Sequence, residues 1–592
     1  MSQLSSTKII HGMLGASVNP DGCEFLVWAP NARQVRIHLL RTDQPVQELP
    51  MEPAEEGHFL LHASAGPGDR YFYIVDSHKP VPDPVSRLLP LGVHGPTEIV
   101  DPQKFAWTDH SWRGLTLKDY VIYELHIGTF TPEGTLDAII AKLPYLKNVG
   151  ISVIELMPVA AFPGTRNWGY DGVSLCAVQA SYGGPDALRR LVDAAHSLGL
   201  GVILDVVYNH LGNEGNYLRL FAPYFTDRHK TPWGDAINYD QPGCEGVRRY
   251  VVENALYWIR EYHLDGLRLD AVQTIKDDSS PHILAEIAEN VSELARRTGR
   301  EICVIAETDE NDPRIVRSRT AQGYGLDALW SDDFHHAIHA CFTGERKGYY
   351  QDFGRPDQIV RALNEGFVFQ GAPFRFWQGR PRGGSSREMP LPAHVICTQN
   401  HDQVGNRACG ERLTALVPRG VRMLAAALLL LAPETPLLFM GQEYDESHPF
   451  QFFTDYGDPV LQKAVREGRR NEFKDFDFQD IPDPQDPATF ERSRLNWSLA
   501  EGENPMLDWY SALLAVRRKY ITDTPRTCKA EVQDGIITMQ VPAAEPKLKV
   551  LARIQGTIPL PNPGPEWEQI LGQEADGFAV EIYTKPHPNR KI

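Results

Sequence analysis

Eight short, apolar, β-rich runs separated by amphipathic stretches constrain the fold of this chain more than any other sequence feature. The runs begin at residues 121, 153, 201, 266, 302, 328, 394 and 436. Helix-period stretches lie between several of them, as at 185–198 and 282–297. Continuous apolar strands that alternate with amphipathic helices indicate an α/β fold whose parallel sheet is covered on both faces, and eight such units fit a closed (β/α)8 TIM barrel. An open, doubly wound sheet is the alternative.

Strands of a different kind flank this region at both ends. Residues 24–29 and 535–541 alternate between apolar and polar positions, which is typical of small antiparallel sheets. A stiff connector, Pro-Val-Pro-Asp-Pro from residue 80, follows the first group. We therefore predict three domains: an N-terminal, immunoglobulin-like β-sandwich over 1–108, the barrel over 109–522 with a short insertion after its third strand, and a small C-terminal β domain over 523–592.

Charge and hydropathy exclude two classes of partner. The 592 residues include 59 basic and 77 acidic side chains, a net charge of −18, whereas nucleic-acid binding requires a basic surface. The longest apolar run, 423–432, is followed at once by Pro433 and has ten residues, about half of what a membrane span needs. It predicts a buried helix, with neither nucleic acid nor membrane as a partner.

The N-terminus and the cysteines indicate the compartment. Residues 1–19 are polar and lack the basic start, apolar core and cleavage site of a secretory signal. The eight cysteines form no CxxC pair and no regular framework. We expect a cytoplasmic protein with reduced thiols.

Acidic and imidazole side chains follow four of the eight predicted strands. Strand three ends in Asp205-Val-Val-Tyr-Asn-His210, strand four in Asp270, strand five in Glu307, and strand seven in Gln-Asn-His-Asp402. In a (β/α)8 barrel the carboxyl ends of the strands meet at one mouth, where the chemistry takes place. Glycoside hydrolysis needs one carboxylate at the sugar ring and one carboxylic acid at the leaving oxygen.

Two other interpretations of these acids stay open. Each carboxylate could be a solvated loop residue or half of an ion pair. The acids could also hold a divalent metal, as in barrels that stabilise enolates, although no carbonyl-rich loop or phosphate-cradling glycine run accompanies them.

The four segments, in this order, resemble the signature regions of the α-amylase superfamily of retaining glycoside hydrolases, over about 118–520. The β module in front resembles the carbohydrate-binding-module-like sandwich of branching, debranching and trehalose-forming members. The resemblance implies that Asp270 is the nucleophile, that Glu307 is the general acid and base, and that Asp402 stabilises the transition state. Arg268 would keep Asp270 ionised.

The resemblance also implies sugar contacts at other positions. His210 and His401 would donate to hydroxyls, and Tyr170 and Trp168 would form an aromatic platform under the ring. Further implied contacts within the same motifs are Asp205, Gln273 and Asn406. Each aromatic ring could equally be a core residue at the base of a loop.

Segments around strands six to eight resemble those superfamily members that cut the α-1,4 bond next to the terminal trehalose of maltooligosyltrehalose. That substrate implies a maltooligosyltrehalose synthase as functional partner. Recognition of trehalose calls for several polar groups and an aromatic wall. The candidates are Asp332, Asp333, His335 and Gln403 for the polar groups, and Phe450, Phe452 and Phe453 for the wall.

The segment 379–387, GRPRGGSSR, is too polar and glycine-rich to be expected to pack. Together with the residues from 374 it would be either a lid over the leaving group or a disordered surface insertion. The connection between strands three and four is too short for a large calcium-binding insertion, so we expect no metal and no cofactor.

A glycogen branching or debranching enzyme is the alternative function, since it would share the sandwich, the barrel and the acids. A non-catalytic binding module of the same lineage is a third interpretation. Such modules lack the acids, whereas Asp270, Glu307 and Asp402 are all present.

Overall fold

The computed structural model describes residues 14–473 and 481–585, and its centre is a closed barrel of eight parallel strands. The strands, called barrel strands one to eight below, are Ile122–Leu125, Val153–Leu156, Gly201–Val206, Gly266–Leu269, Cys303–Ala306, Ala328–Trp330, His394–Cys397 and Thr435–Phe439. All eight predicted runs form strands. The predicted TIM barrel is confirmed and the open sheet is excluded, because strand eight pairs with strand one.

The strands form because apolar runs buried on both faces suit a parallel sheet enclosed by helices. Every residue of the first strand, for example, is buried. The helices of eight or more residues around the barrel are Gly184–Ser197, Cys244–Glu261, Ile283–Thr298, Asp332–Thr343, Pro356–Glu365, Arg419–Leu431, Pro459–Glu472 and Pro505–Tyr520. Shorter helices are Ile127–Phe130, Leu136–Ile140, Leu143–Val149, His401–Gly405, Leu413–Leu416 and Pro487–Arg492.

The longest apolar run forms the helix Arg419–Leu431, which is buried as predicted. It packs against helix Pro505–Tyr520 on one side and against strand Phe578–Thr584 of the C-terminal sheet on another. Within residues 14–473 and 481–585, no helix combines the length and apolarity that crossing a bilayer requires. None of the eight cysteines is bonded to another.

Two antiparallel four-stranded sheets form the N-terminal sandwich. One contains Gly15–Asn19, Gly22–Trp28, His58–Ala63 and Glu52–Pro53, and the other Gln47–Pro50, Val35–Leu40, Arg70–Val75 and Thr97–Glu98. The C-terminal domain is an antiparallel five-stranded sheet in the order Lys529–Gln533, Ile536–Val541, Leu548–Arg553, Phe578–Thr584 and Glu568–Ala575. Both flanking β regions are therefore present, while the domain limits at 108/109 and 522/523 stay a prediction.

Two hairpins extend from the barrel's βα loops and are important for the site. Phe225–Thr231 pairs with Gly234–Ile237 between barrel strands three and four. Ala372–Phe374 pairs with Arg380–Arg382 between strands six and seven.

The second hairpin overturns the expectation that 379–387 does not pack. Arg382 is 1% exposed, and its Nη1 donates to Asp333 Oδ1 at 2.7 Å. Ser386 is also buried and donates to Glu365 O. Composition was a poor guide here, because polar side chains pack well wherever their donors meet buried acceptors.

Candidate active site

The carboxyl ends of barrel strands three, four and five bring the acidic residues together. Asp270 directly follows strand four, Glu307 directly follows strand five, and Asp205 lies in the last turn of strand three. In register, Asp205 is opposite Arg268 of the neighbouring strand. The closed barrel thus places side chains far apart in sequence at one rim.

Arg268 is the centre of this cluster and is fully buried. Its Nη1 donates to Asp205 Oδ2 at 2.7 Å and to Asp270 Oδ1 at 2.8 Å, and its Nη2 lies 3.6 Å from Glu307 Oε2. A guanidinium is a rigid planar group with several donors, so three carboxylates on one Arg268 are fixed relative to each other. Its other face covers Trp330, with 4.3 Å from Cζ to the ring centroid.

Asp270 is held through both of its carboxylate oxygens. Oδ1 accepts from Arg268, while Oδ2 accepts from Asn209 Nδ2 at 2.6 Å. Asn209 in turn contacts His210, whose Nε2 lies 3.0 Å from Tyr170 O. These contacts leave the Asp270 side chain little rotational freedom and direct it into the mouth.

Glu307 has a different environment. Its Oε2 accepts from Ala271 N at 2.6 Å, and Ala271 adopts a left-handed backbone with φ of 39°. Burial, and then the Asp270, Asp402 and Asp332 carboxylates, raise the pKa of Glu307 well above its usual range, although Arg268 opposes them. Glu307 is therefore protonated at neutral pH. The left-handed conformation of a non-glycine residue costs energy and is typical of functional sites.

Asp402 and His401 come from the short helix His401–Gly405, which begins after strand seven with Asn400 as its cap. Asp402 Oδ1 accepts from Asn406 Nδ2 at 3.2 Å and lies 3.4 Å from His401 Nε2. Asp402 is the most accessible of the three acids, with 37% of its side chain exposed. Tyr170 stacks on the His401 ring and its hydroxyl contacts both His401 Nε2 and Asp205.

Two buried carboxylates inside the barrel escaped the sequence analysis. Glu124 of strand one accepts from His401 N at 2.9 Å and pairs with His401 Nδ1. Glu155 of strand two is in register with Glu124. Burial, then Glu124 itself, raise the pKa of Glu155 well above its usual range, so that it is neutral at pH 7. The signal for both was an acidic residue within an otherwise apolar, fully buried strand.

The pKa of His401 reflects the Glu124 pair. Burial alone lowers it, but Glu124 and then Asp402 outweigh burial and raise the pKa of His401 to about 9. The ring is therefore an imidazolium at neutral pH and donates from both nitrogens.

A cavity of about 140 Å³ opens beside Asp402, between the loops after strands six and seven. Its lining residues include Asp332, Gln403, Asn406, Tyr349 and Phe376. Burial is the main cause that raises the pKa of Asp332 to about 7. Gln403 Oε1 is buried and accepts no hydrogen bond from the described residues, so it offers an acceptor to a ligand.

Gln273 lies on the turn that follows Asp270. Its Oε1 is also buried without a donor among the described residues. Asp205 is buried between Arg268 and Tyr170, and burial raises the pKa of Asp205 to about 6. It supports the catalytic cluster from below more than it faces the mouth.

Three other predicted substrate contacts are buried in the packing instead, which corrects the sequence interpretation. Trp168 is 4% exposed, stacks on Phe450 and donates from Nε1 to Gln451 O. Asp333 is fully buried and neutralises Arg382. His335 bonds Thr398 O and Tyr350 through its two nitrogens.

The predicted aromatic wall is mostly core. Phe450 and Phe453 are fully buried and pack on each other. Phe452 is half-buried, edge-on to Trp168 and covered by Arg469. Hydrophobic burial took these rings inward, as it does most clustered phenylalanines.

Trp233, at the tip of the hairpin after strand three, was not predicted. It is 44% exposed and stacks on His210 at a centroid distance of 4.1 Å with a 10° interplanar angle. One face of an indole ring is thus presented beside the mouth. A tryptophan in a tight Pro-Trp-Gly turn was the available signal.

One group of described side chains has the composition of a metal site: ligand atoms of His229, Asp240 and Asp278 lie within 4.8 Å of one another. Arg228 already contacts Asp278 at 2.8 Å and Asp240 at 3.7 Å. Because this guanidinium balances the two carboxylates, the group fits an ion-pair brace between the hairpin and the loop after strand four better than a metal.

Comparison with known proteins agrees with this geometry. Residues 13–97 match the family Carbohydrate-binding module 48 (Isoamylase N-terminal domain), and residues 99–236 match the family Alpha amylase, catalytic domain. The malto-oligosyltrehalose trehalohydrolase of Saccharolobus solfataricus is 47% identical over 507 residues, covering 86% of this chain and 87% of the relative. A crystal structure of a candidate α-amylase from Salmonella typhimurium has a TM-score of 0.88 at 41% identity, with 97% and 99% of the two chains covered. The 1,4-alpha-glucan branching enzyme of Corynebacterium jeikeium is 30% identical over 365 residues, 55% of this chain and 50% of that enzyme.

The closed barrel, the acids at its mouth and the CBM48-type module together define a glycoside hydrolase of the α-amylase superfamily. Within this class the chain belongs to the malto-oligosyltrehalose trehalohydrolase family, since the high identity extends over most of both chains. The branching-enzyme similarity covers only about half of each chain.

Proposed function

We propose that this glycoside hydrolase cleaves the α-1,4-glucosidic bond next to the terminal trehalose of maltooligosyltrehalose, releases trehalose and retains the anomeric configuration. The observation that carries the proposal is the shared contact of Asp270 and Glu307 with the single guanidinium of Arg268. Retaining enzymes place their two carboxyl groups about 5 Å apart and inverting ones about 6.5–9.5 Å. Two acids anchored on one rigid planar group favour the shorter separation.

Glu307 is the general acid of the first step. It is buried beside other carboxylates and is protonated at neutral pH, so it can transfer its proton to the glycosidic oxygen as the bond to trehalose breaks. Asp270 simultaneously forms a bond from a carboxylate oxygen to the anomeric carbon. The products of this step are free trehalose and a glucosyl ester of Asp270.

Water completes the cycle in the second step. Glu307, now a carboxylate, takes a proton from water while the water oxygen attacks the anomeric carbon. The ester bond to Asp270 breaks, and Glu307 is protonated again. Arg268 and Asn209 receive the regenerated carboxylate in its original position.

Asp402 and the neighbouring imidazolium stabilise the transition state. Asp402 accepts hydrogen bonds from ring hydroxyls, which become more acidic as positive charge develops on the sugar. His401 donates to a hydroxyl of the same ring from Nε2, which Tyr170 and Asp402 surround. His210 is the second imidazole at this ring, and burial lowers its pKa, so that it acts as a neutral donor.

The cavity beside Asp402 is the site for trehalose. It offers acid, amide and aromatic groups on a small enclosed surface, through Asp332, Gln403, Asn406 and Phe376. A site that binds hydroxyls with buried polar groups rejects analogues that lack them, because those groups then stay unpaired. A maltooligosyltrehalose synthase, which makes the substrate, is the functional partner under this proposal.

Product analysis of the purified chain tests the proposal. Chromatography should show rapid release of trehalose from maltopentaosyl-trehalose and slow cleavage of maltohexaose. The branching or debranching alternative instead predicts a changed iodine stain with amylose, or released branches from glycogen. Absence of trehalose among the products would contradict the proposed specificity.

Two variants test the assigned roles. Asp270→Asn and Glu307→Gln should each lower kcat by several orders of magnitude while the circular dichroism spectrum stays unchanged, since nucleophile and proton donor are both essential. Full activity in either variant would refute its role. Proton NMR of the newly formed reducing end would show the α-anomer first for a retaining reaction and the β-anomer for an inverting one.

A further inference from the structure

A second concave surface lies on the same face of the barrel as the acids. It is a groove of about 670 Å³, and we call it the linker groove. Residues 89–94 of the connector after the sandwich form one wall, and residues 163–165, 179–181 and 455–457 form the others, with Glu214 at one end. Apart from the connector, these segments belong to the loops after barrel strands two, three and eight. The groove shares no lining residue with the cavity beside Asp402.

The linker groove is connected to the catalytic mouth through the loop after strand two. Thr165 lines the groove, and Tyr170, which contacts Asp205 and His401, is five residues further on. Five residues span less than about 20 Å even when fully extended. Tyr456, another groove residue, donates its hydroxyl to Asp171 of the same loop.

The groove and the cavity lie on different sides of the mouth. In the ring of eight strands, strands two and three are four positions away from strands six and seven, whose loops form the cavity. A substrate that crosses the mouth can therefore reach both. The enclosed cavity suits an end of fixed size, whereas the larger, open groove suits a part of variable length.

The chemistry of the groove suits a neutral carbohydrate. Leu91, 65% exposed, and prolines 90 and 163 provide apolar surface for the C–H faces of sugar rings. Asp455 and Glu214 provide hydrogen-bond acceptors and, being negatively charged, disfavour anionic ligands.

The polar walls are also rigid. Asp455 accepts from Thr165 N at 2.8 Å and pairs with Arg166. Glu214 accepts from Gly457 N at 2.9 Å. These contacts hold three loops in fixed relative positions, so the groove is formed before any ligand binds, which lowers the entropic cost of binding.

We propose that the linker groove binds the glucan part of the substrate, the α-1,4-linked glucosyl units furthest from trehalose, and so sets the preference for chain length. The proposal rests on the proposed function for the identity of the substrate. It assigns a binding role to the connector between sandwich and barrel, which otherwise has only a structural one.

Kinetics with substrates of two lengths test this proposal. In Leu91→Ala the value of kcat/KM for maltohexaosyl-trehalose should fall about three- to tenfold, because roughly two or three buried methylene equivalents are lost. The loss should appear in KM with kcat unchanged, and maltosyl-trehalose should be hydrolysed as by the wild type. Ala180→Trp, which fills the groove, should have a larger effect of the same kind. Ile558→Ala, an equally exposed apolar residue of the C-terminal domain, is the matched control.

Equal losses with both substrates, or no loss with the long one in either groove variant, would overturn the proposal. Calorimetric binding of maltohexaose to the full-length chain separates it from the proposed function. Leu91→Ala and Ala180→Trp should weaken this binding relative to the wild type whether or not trehalose is released. Unchanged maltohexaose binding in both variants would refute the groove even if trehalose is the product.

Discussion

Replacing Glu124 by glutamine tests how the barrel interior controls the catalytic mouth. Glu124 is completely buried, accepts from His401 N and pairs with His401 Nδ1. With glutamine at position 124, burial and the positive charge of Arg268 would both lower the pKa of His401, and only Asp402 would still raise it. The imidazolium would then lose its proton within the working pH range.

The magnitude follows from the pKa of about 9 for His401 in the wild type. Relative to an ordinary histidine at about 6.5, this pKa corresponds to roughly 3 kcal/mol in favour of the charged ring. We expect the alkaline limb of the kcat/KM profile to move down by about two pH units in Glu124→Gln. At pH 8 the variant should therefore lose activity that it keeps at pH 6.

Stability should show the same linkage. Because the pKa of His401 is higher in the folded than in the unfolded protein, its contribution is fully present below about pH 6.5 and is lost as the pH rises through 9. The wild type should lose roughly 3 kcal/mol from this pair over that range, and Glu124→Gln should not.

Profiles of kcat/KM from pH 5 to 10 and thermal denaturation at pH 6 and 9 measure both effects. Glu261→Gln is the matched control, since Glu261 forms a largely buried ion pair with Arg87 away from the acids. It should destabilise the chain without moving the pH profile. An alkaline limb in Glu124→Gln at the wild-type position would refute the reasoning.

Two further substitutions separate catalysis from stability. Asp402→Asn should lower kcat about a hundredfold or more with little change in KM, because its contact strengthens in the transition state; steady-state kinetics with an unchanged kcat would count against that role. Asp333→Ala should lower the free energy of unfolding by about 3–5 kcal/mol, because it leaves the buried Arg382 without its anion. Thermal denaturation would measure this, with the exposed Arg380→Ala as control, and an unaltered midpoint would mean that the pair contributes nothing.

The line between what the sequence predicts and what it does not is visible at particular residues. Asp270 and Glu307 were found because each follows a recognisable apolar strand, and the carboxyl ends of parallel strands share one edge. Trp168 and Asp333 belong to equally suggestive motifs, yet both are buried in the packing. A motif fixes the position of a residue along a strand or loop but not the direction in which its side chain finds space.

The hairpin between strands six and seven shows the same limit from the other side. Its composition predicted a segment that does not pack, but Arg382 finds a buried carboxylate 49 residues earlier in the chain. Local composition describes the average behaviour of such segments. A single long-range ion pair is enough to reverse it, because an unpaired buried charge is far more costly than a paired one.

By itself, the sequence determined the barrel, its two flanking β regions and the acids at the strand ends, since these depend on hydrophobic period and on position within a strand. Only the tertiary structure decided that Arg268 joins three carboxylates, that Glu124 pairs with a histidine 277 residues away, and that a groove opens beside the connector. Periodicity is a local property of the chain, whereas charge pairing and cavity shape arise between segments whose distance is set only when the barrel closes.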